Sequence, residues 1–484
     1  MEHFDSVNNR VVVGSFAWKM LERIFSQGIN FVVQIILARL LAPEAFASLA
    51  IIVAITNYAA LFVQSGLSVA LIQKEDLKEI DVSTLLVSSL AIAAVFYAAL
   101  FAAAPWFAAY YNSAELTGEL RVLAVVLFFN AVNSVQLALL QRNMEFKALF
   151  FRSLIAVLVS GSVGIGMAFM GYGVWALIAN NLLYTATLVL VIFLHGKLHL
   201  HLAFSWDSAK TLYRFSGKIL LASLISGLHD TVRTMLIGKK YSRDDLAYYD
   251  KAYTYSFYVV QTVGYSISSV MLPVFSRQQG DLPALKATTR ESIRFSAFFM
   301  FPLLTGIVVV ARPLVLLLLT EKWLPCVPFL MLFCILRLPE CMITIDKQVF
   351  YAVGKSELCL YYEIGLCLCN LAVLMAAMNY GILYIAVGAV LVQLLAGVVI
   401  GFISSRTIGY TVVERMKDIA RPTVNSCGMA AAVLLVQRAL PDTFVSLVLQ
   451  VLTGIAVYFV LALVSRDESF KKAVSLVKSK AKKM

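Results

Sequence analysis

The chain has 484 residues, 61% of them hydrophobic and only 14% charged, with a formal net charge of +12. A soluble domain is nearer half apolar and about a quarter charged, so a soluble globular protein is excluded. A basic surplus in a membrane chain collects in cytoplasmic loops, and that reading displaces nucleic acid as a partner.

Apolar runs of the ~20 residues that cross a ~30 Å hydrocarbon layer recur along the chain and predict about fourteen helices. They fall near 16–40, 46–71, 82–104, 120–140, 149–170, 174–195, 216–238, 253–275, 294–319, 326–352, 358–378, 382–404, 419–438 and 443–464. The polar start MEHFDSVNNR and the long first run predict a retained helix, not a cleaved signal peptide.

The first run, FAWKMLERIFSQGINFVVQIILA, carries Lys19, Glu22, Arg23, Gln27, Asn30 and Gln34 at bilayer depth, where a charge costs about 2.5–3.5 kcal/mol. At 100° per residue, Lys19, Arg23, Gln27, Asn30 and Gln34 share a sector about 80° wide, with Glu22 on its flank. Gln64 and Asn133 are isolated polar residues that suit packing hydrogen bonds. Arg142, Lys147 and Arg152, in QRNMEFKALFFR, lie near a cytoplasmic helix end. They read either as positive-inside anchors or as an entrance patch for anionic head groups.

The seventh helix repeats the pattern. Phe16 and Lys19 find counterparts 199 positions later in Phe215 and Lys218, and APEAFASL corresponds to SRDDLAYY. GYGVWAL from Gly171 matches NYGILYI from Asn379. On the seventh helix Lys218, Ser226, His229 and Arg233 fall in one sector, with Asp230 beside them. The repeat predicts an N-terminal lobe at 1–210 and a C-terminal lobe at 211–410. An additional helix pair follows at 411–466, and a basic amphipathic tail at 467–484. Parallel repeats of this kind place a substrate between two lobes.

Two readings of the stripes compete. They are intramembrane glue, with Glu22 pairing Arg23 or Lys19 and Asp230 pairing Arg233. Or they line a wet cavity, in which four cations against two carboxylates imply an anionic guest. The tenth helix adds LRLPECMITIDKQVFYA, where Pro339 invites a kink. There Arg337, Glu340, Asp346 and Lys347 are candidates for a gate or cavity. Arg337 and Glu340, three apart, also suit each other. Glu22 and Asp230 are candidate carriers of a coupling ion.

Loop charge orients the chain. Lys197, Lys210 and Arg214, then Arg277, Lys286 and Arg290, then Arg406, Arg415 and Lys417 mark cytoplasmic connections. Opposite them lie YYNSAELTGE and the tight turns GYG and NYG, so both termini are expected in the cytoplasm. GKKYSRDDLAYYDK dissents, being assigned outside yet holding Lys239, Lys240, Arg243 and Lys251. Trp18, Trp106, Trp175, Trp206 and Trp323 suit interfacial anchors. The seven cysteines, all in the second half, read as buried thiols. Neither Cys367-Leu-Cys369 nor the five histidines has the spacing of a metal site. No G-x-x-x-x-G-K-[ST] loop is present for ATP hydrolysis, and no cofactor is expected.

LARLLAPEAFASLAII, LSVALIQK and LQRNMEFKALFFRS resemble the polysaccharide transporter branch of the multidrug/oligosaccharidyl-lipid/polysaccharide exporter superfamily. LTEKWLPCVPFLMLFC resembles its colanic-acid-exporter subgroup. The resemblance implies an all-α polytopic fold of two six-helix lobes and a bacterial inner-membrane flippase for polyprenyl-diphosphate-linked oligosaccharide. It implies alternating access through a cationic cavity and no catalytic residue. Membrane lipid and a downstream polysaccharide polymerase are the implied partners, with the monomer as working unit. The alternatives are a multidrug or organic-cation antiporter of the same superfamily and a peptidoglycan-precursor flippase. A membrane glycosyltransferase or polymerase fits poorly, because the outer loops are short.

Overall fold

A computed structural model describes residues 9–64, 71, 77–194 and 203–470. Among the described residues the regular structure is helical, with no strand. The helices are α1 (Asn9–Leu40), α2 (Pro43–Gln64), α3 (Glu79–Tyr110), α4 (Leu116–Arg142), α5 (Phe146–Phe169), α6 (Val174–Leu194) and α7 (Trp206–Lys240). They continue with α8 (Arg243–Arg277), α9 (Leu282–Leu319), α10 (Glu321–Ala352), α11 (Ser356–Ala377), α12 (Ile382–Ile408), α13 (Val412–Ala439) and α14 (Phe444–Val464). Twelve of these are long and apolar enough to cross a membrane, so the chain is a multi-pass membrane protein. The other two, α7 and α8, are 35 residues each. The expected tail residues Val474, Val477, Ala481 and Met484 lie outside the described residues.

Local chemistry sets the helix ends. The Thr411 hydroxyl accepts from the Glu414 N–H at 3.2 Å while Glu414 accepts from the Thr411 N–H at 3.0 Å, so α13 begins with a capping box. Gly409, at φ +69°, closes α12 in the left-handed region. Two spans are broken: α4 between Leu123 and Val126, and α10 around Leu338 and Pro339. The α10 break is where Pro339 removes a backbone donor.

Contacts divide the chain into residues 1–247 and 248–484. In the first unit α5 packs on α1 and α6, α3 packs on α4, and α2 meets α4, α6 and α7. A Cβ on Gly161 would stand 2.7 Å from Val33 Cγ2, so this glycine lets α1 and α5 approach. In the second unit α9 packs on α10 and α13, α13 on α14, and α12 on α10 and α11. The repeat begins a new half at α7, whereas α7 packs on α2 and α3. The pair α13 and α14 packs on α9 within the second unit.

Burial corrects two sequence expectations. Five cysteines are buried, but Cys369 and Cys427 are exposed. Trp323 is fully buried against Tyr248, with ring centroids 5.9 Å apart, so it is a packing residue and not an interfacial anchor.

Candidate functional site

Two exposed apolar residues of α1 lie opposite its polar sector. Phe25 and Val32 are exposed, and at 100° per residue they point away from Arg23, Gln27, Asn30 and Gln34. Those four are half-buried, while Ser26 and Val33 are buried on the side toward α5. Phe31, also exposed, stands within about 60° of Gln27 and Gln34. The side chain of Lys19 lies outside the described residues.

Glu22 turns to α5. Its carboxylate accepts from Ser153 Oγ at 3.0 Å, and the charge of Arg152 acts on it. Arg152 is only 3% exposed, and its Nε and Nη1 have no hydrogen-bond partner. The structure therefore joins an expected ion-coupling carboxylate and an expected entrance cation in one cluster. Nearby, Trp18 packs on Phe150 and Phe151, and the Lys147 ammonium stands 5.8 Å from the Trp18 ring. Arg142 donates to the Leu71 carbonyl at 2.8 Å, anchoring the end of α4.

On α7, Arg233 is 5% exposed and donates to Asp230 at 2.8 Å. His229 Nδ1 lies 3.4 Å from the same carboxylate. Asp230 is half-exposed, so the pair has one dry and one wet member. The side chain of Lys218 lies outside the described residues.

The second unit separates the four candidates of α10. Arg337 pairs with Glu340 at 3.0 Å and lies over the rings of Tyr253 and Phe257 at 4.6 and 5.0 Å. Its Nε and Nη2 have no hydrogen-bond partner, although the residue is 5% exposed. Asp346 is fully buried and takes two hydrogen bonds from Arg415 on α13, at 2.5 and 3.0 Å. Lys347 turns instead to Glu363 on α11.

Two residues escaped sequence reasoning. Arg415 was read as a loop cation but is wholly buried on α13, because Asp346 neutralises it there. Glu363 was overlooked because a lone carboxylate in an apolar run gives no partner in its own helix. A signal for both was available: Asp346 and Lys347 lack counter-charges at helical spacing on α10, so each needs one from another span.

Buried guanidiniums with N–H groups to spare can bind an oxyanion, and Arg suits phosphate through paired contacts. Among the described residues, no group of histidine, cysteine or carboxylate residues could hold a metal ion.

The sequence family described as "Polysaccharide biosynthesis protein" matches residues 36–328. The teichuronic acid biosynthesis protein TuaB of Bacillus subtilis (strain 168) is 24% identical over 329 residues, 67% of this chain and 68% of the relative. The succinoglycan biosynthesis transport protein ExoT of Rhizobium meliloti (strain 1021) is 22% identical over 320 residues, 66% of this chain and 64% of the relative. The matched stretches thus span about two thirds of these relatives. Among solved structures, the lipid II flippase MurJ in an inward closed conformation superposes with a TM-score of 0.76. That match covers 94% of this chain and 99% of the other at 14% identity, a likeness of fold.

Proposed function

The chain belongs to the polysaccharide biosynthesis protein family, and on that premise we propose that it is a flippase for polyprenyl-diphosphate-linked oligosaccharide. It carries this lipid from the cytoplasmic to the periplasmic face of a bacterial inner membrane, as a monomer with both termini in the cytoplasm. A polysaccharide polymerase receives the product.

The observation that carries the reading is the donor surplus at Arg152 and Arg337. Each guanidinium is at least nine-tenths buried and keeps two nitrogens without a hydrogen-bond partner among the described residues. An unmet donor in a dry interior costs about 1–3 kcal/mol, more for a charged group. A diphosphate supplies acceptors of the needed charge, whereas an organic cation supplies none. Lys19, Arg23, Lys218 and Arg233 neutralise the head group as it crosses, with Gln27, Asn30, Gln34 and His229 meeting the sugar. Arg142, Lys147 and Arg152 attract it at the cytoplasmic side. The prenyl chain stays in lipid.

The membrane potential favours export. An anion leaving a negative interior gains about 2.3 kcal/mol per charge per 100 mV, so a diphosphate near charge −2 gains roughly twice that. Glu22 and Asp230 are the carriers for any coupled cation, and Arg337, Glu340, Asp346 and Lys347 form a gate.

The test is flipping of a fluorescent polyprenyl-diphosphate sugar by purified protein in vesicles. Arg23→Ala with Arg233→Ala lowers the rate tenfold or more if two charge-assisted contacts are lost, each worth about 1.5–3 kcal/mol. A parental rate in that variant, or transport of a cationic dye in place of the sugar lipid, sinks the reading.

A further inference from the structure

The loop whose charge contradicts its assigned side of the membrane is engaged with a second loop assigned to the same side. Lys239, in the last turn of α7, donates its ammonium to the Tyr110 carbonyl, and its Nζ lies 4.6 Å from the centre of the Tyr110 ring. In return, the Tyr111 hydroxyl donates to the Met235 carbonyl of α7 at 3.1 Å. Tyr110 is the final residue of α3, and Met235 is one turn from the end of α7. Each helix therefore offers a donor to a carbonyl near the other's C-terminus.

This arrangement has a physical logic. The Tyr110 carbonyl is among the last four of α3, which have no intrahelical partner, and the negative end of a helix dipole attracts a cation; the Met235 carbonyl, five residues before the end of α7, takes Tyr111 as a second donor. Two such ends side by side repel each other unless a positive charge joins them, and Lys239 is placed to do so. Trp106 stacks on Tyr110 at 5.8 Å, and Tyr111 meets Tyr110 edge-on at 5.1 Å, so the acceptor side is braced. The turn after α3 is set by Asn112 at φ +52° and by Ser113 donating its N–H to the Ala108 carbonyl at 2.9 Å. Farther along the same loop, the Arg243 charge acts on Glu119, which is 2% exposed.

We propose that Lys239 and Tyr111 are an outer latch fastening α3 to α7, and that the chain opens to the periplasm by breaking it. The purpose of the latch rests on the transport reading above, while its existence does not. By its sequence α7 opens the second repeat, yet here its outer end is fastened to α3. Movement of α7 with its own repeat must release that end. The surplus cations of GKKYSRDD then have a use that positive-inside anchoring denies them.

The experiment reads accessibility and needs no substrate. Ile51 on α2 is 3% exposed and lies under this junction, where a Cβ on Gly238 would stand 3.0 Å from Ile51 Cδ1. In Ile51→Cys protein in right-side-out vesicles, labelling by a membrane-impermeant maleimide reports outward opening. Adding Lys239→Gln and Tyr111→Phe speeds labelling about thirtyfold or more, the population shift expected for one charge-assisted and one neutral bond lost together. Lys239→Arg, which keeps charge and donor, stays near the parental rate. The fully buried Cys326 and Cys334 are sentinels of folding. If they become reactive, Tyr111→Phe alone decides, with a smaller acceleration of about threefold to tenfold. Labelling that none of these changes moves overturns the latch. A chain that flips no sugar lipid but shows the labelling pattern loses its cargo and keeps the latch. One that flips with labelling unmoved keeps the cargo and loses the latch.

Discussion

Asp346 and Arg415 form an ion pair with no solvent exposure on either side chain and hydrogen bonds of 2.5 and 3.0 Å. Removing one partner leaves a charge stranded in the interior, which costs about 3–5 kcal/mol. Replacing both by apolar residues removes the need for pairing and is often neutral. Asp346→Ala is therefore expected to lower the melting midpoint in detergent by about 10 °C, taking 2–4 °C per kcal/mol for a body of this size. Arg415→Met with Asp346→Leu is expected to recover most of that loss. The assay is thermal unfolding followed by fluorescence-detected size exclusion, with all variants in one detergent. A double variant no more stable than Asp346→Ala refutes the buried-pair reasoning. The same proteins decide whether Asp346 belongs to a gate: a stable double variant that has lost flipping would place it there.

Two smaller predictions probe helix packing. Gly161→Ala forces a methyl group to within 2.7 Å of Val33, so it should cost about 1–3 kcal/mol. Adding Val33→Ala should return part of that, and additive losses in thermal unfolding would refute the contact. In α9, Pro302 removes the N–H that would meet the Phe298 carbonyl, and Tyr458 donates to that carbonyl at 2.8 Å. Tyr458→Phe should therefore cost about 1–3 kcal/mol. In a Pro302→Ala background, where the helix can satisfy its own carbonyl, the cost should fall to less than half. An unchanged cost in the double-mutant cycle would refute the substitution of one donor for the other.

What the sequence made legible follows from how each signal is stored. Membrane spans are written locally, in runs of about 20 apolar residues, so α2 to α6 could be read without any partner. The α10 break was legible because proline acts on its own helix, and the Arg337–Glu340 pair because three residues is one turn. Lobe membership is different. The likeness of Lys19 to Lys218 records how the chain is repeated, whereas the packing of α7 on α2 and α3 records which surfaces fit. A repeat cannot report the second. Partner choice among charges is non-local as well. Asp346 and Lys347 are neighbours in sequence but point about 100° apart on a helix. They are therefore committed to different helices, α13 for one and α11 for the other. The same reasoning bears on the candidate site. Local periodicity can say which residues share a stripe, and Arg23 and Phe25 stand on opposite sides of α1. Whether that stripe is glue or a binding surface depends on the count of donors left over after internal pairing. Among the described residues Arg233 is met by Asp230, whereas Arg152 and Arg337, which lie on other helices, retain nitrogens without a hydrogen-bond partner; the Arg23→Ala with Arg233→Ala variant decides for the stripe itself.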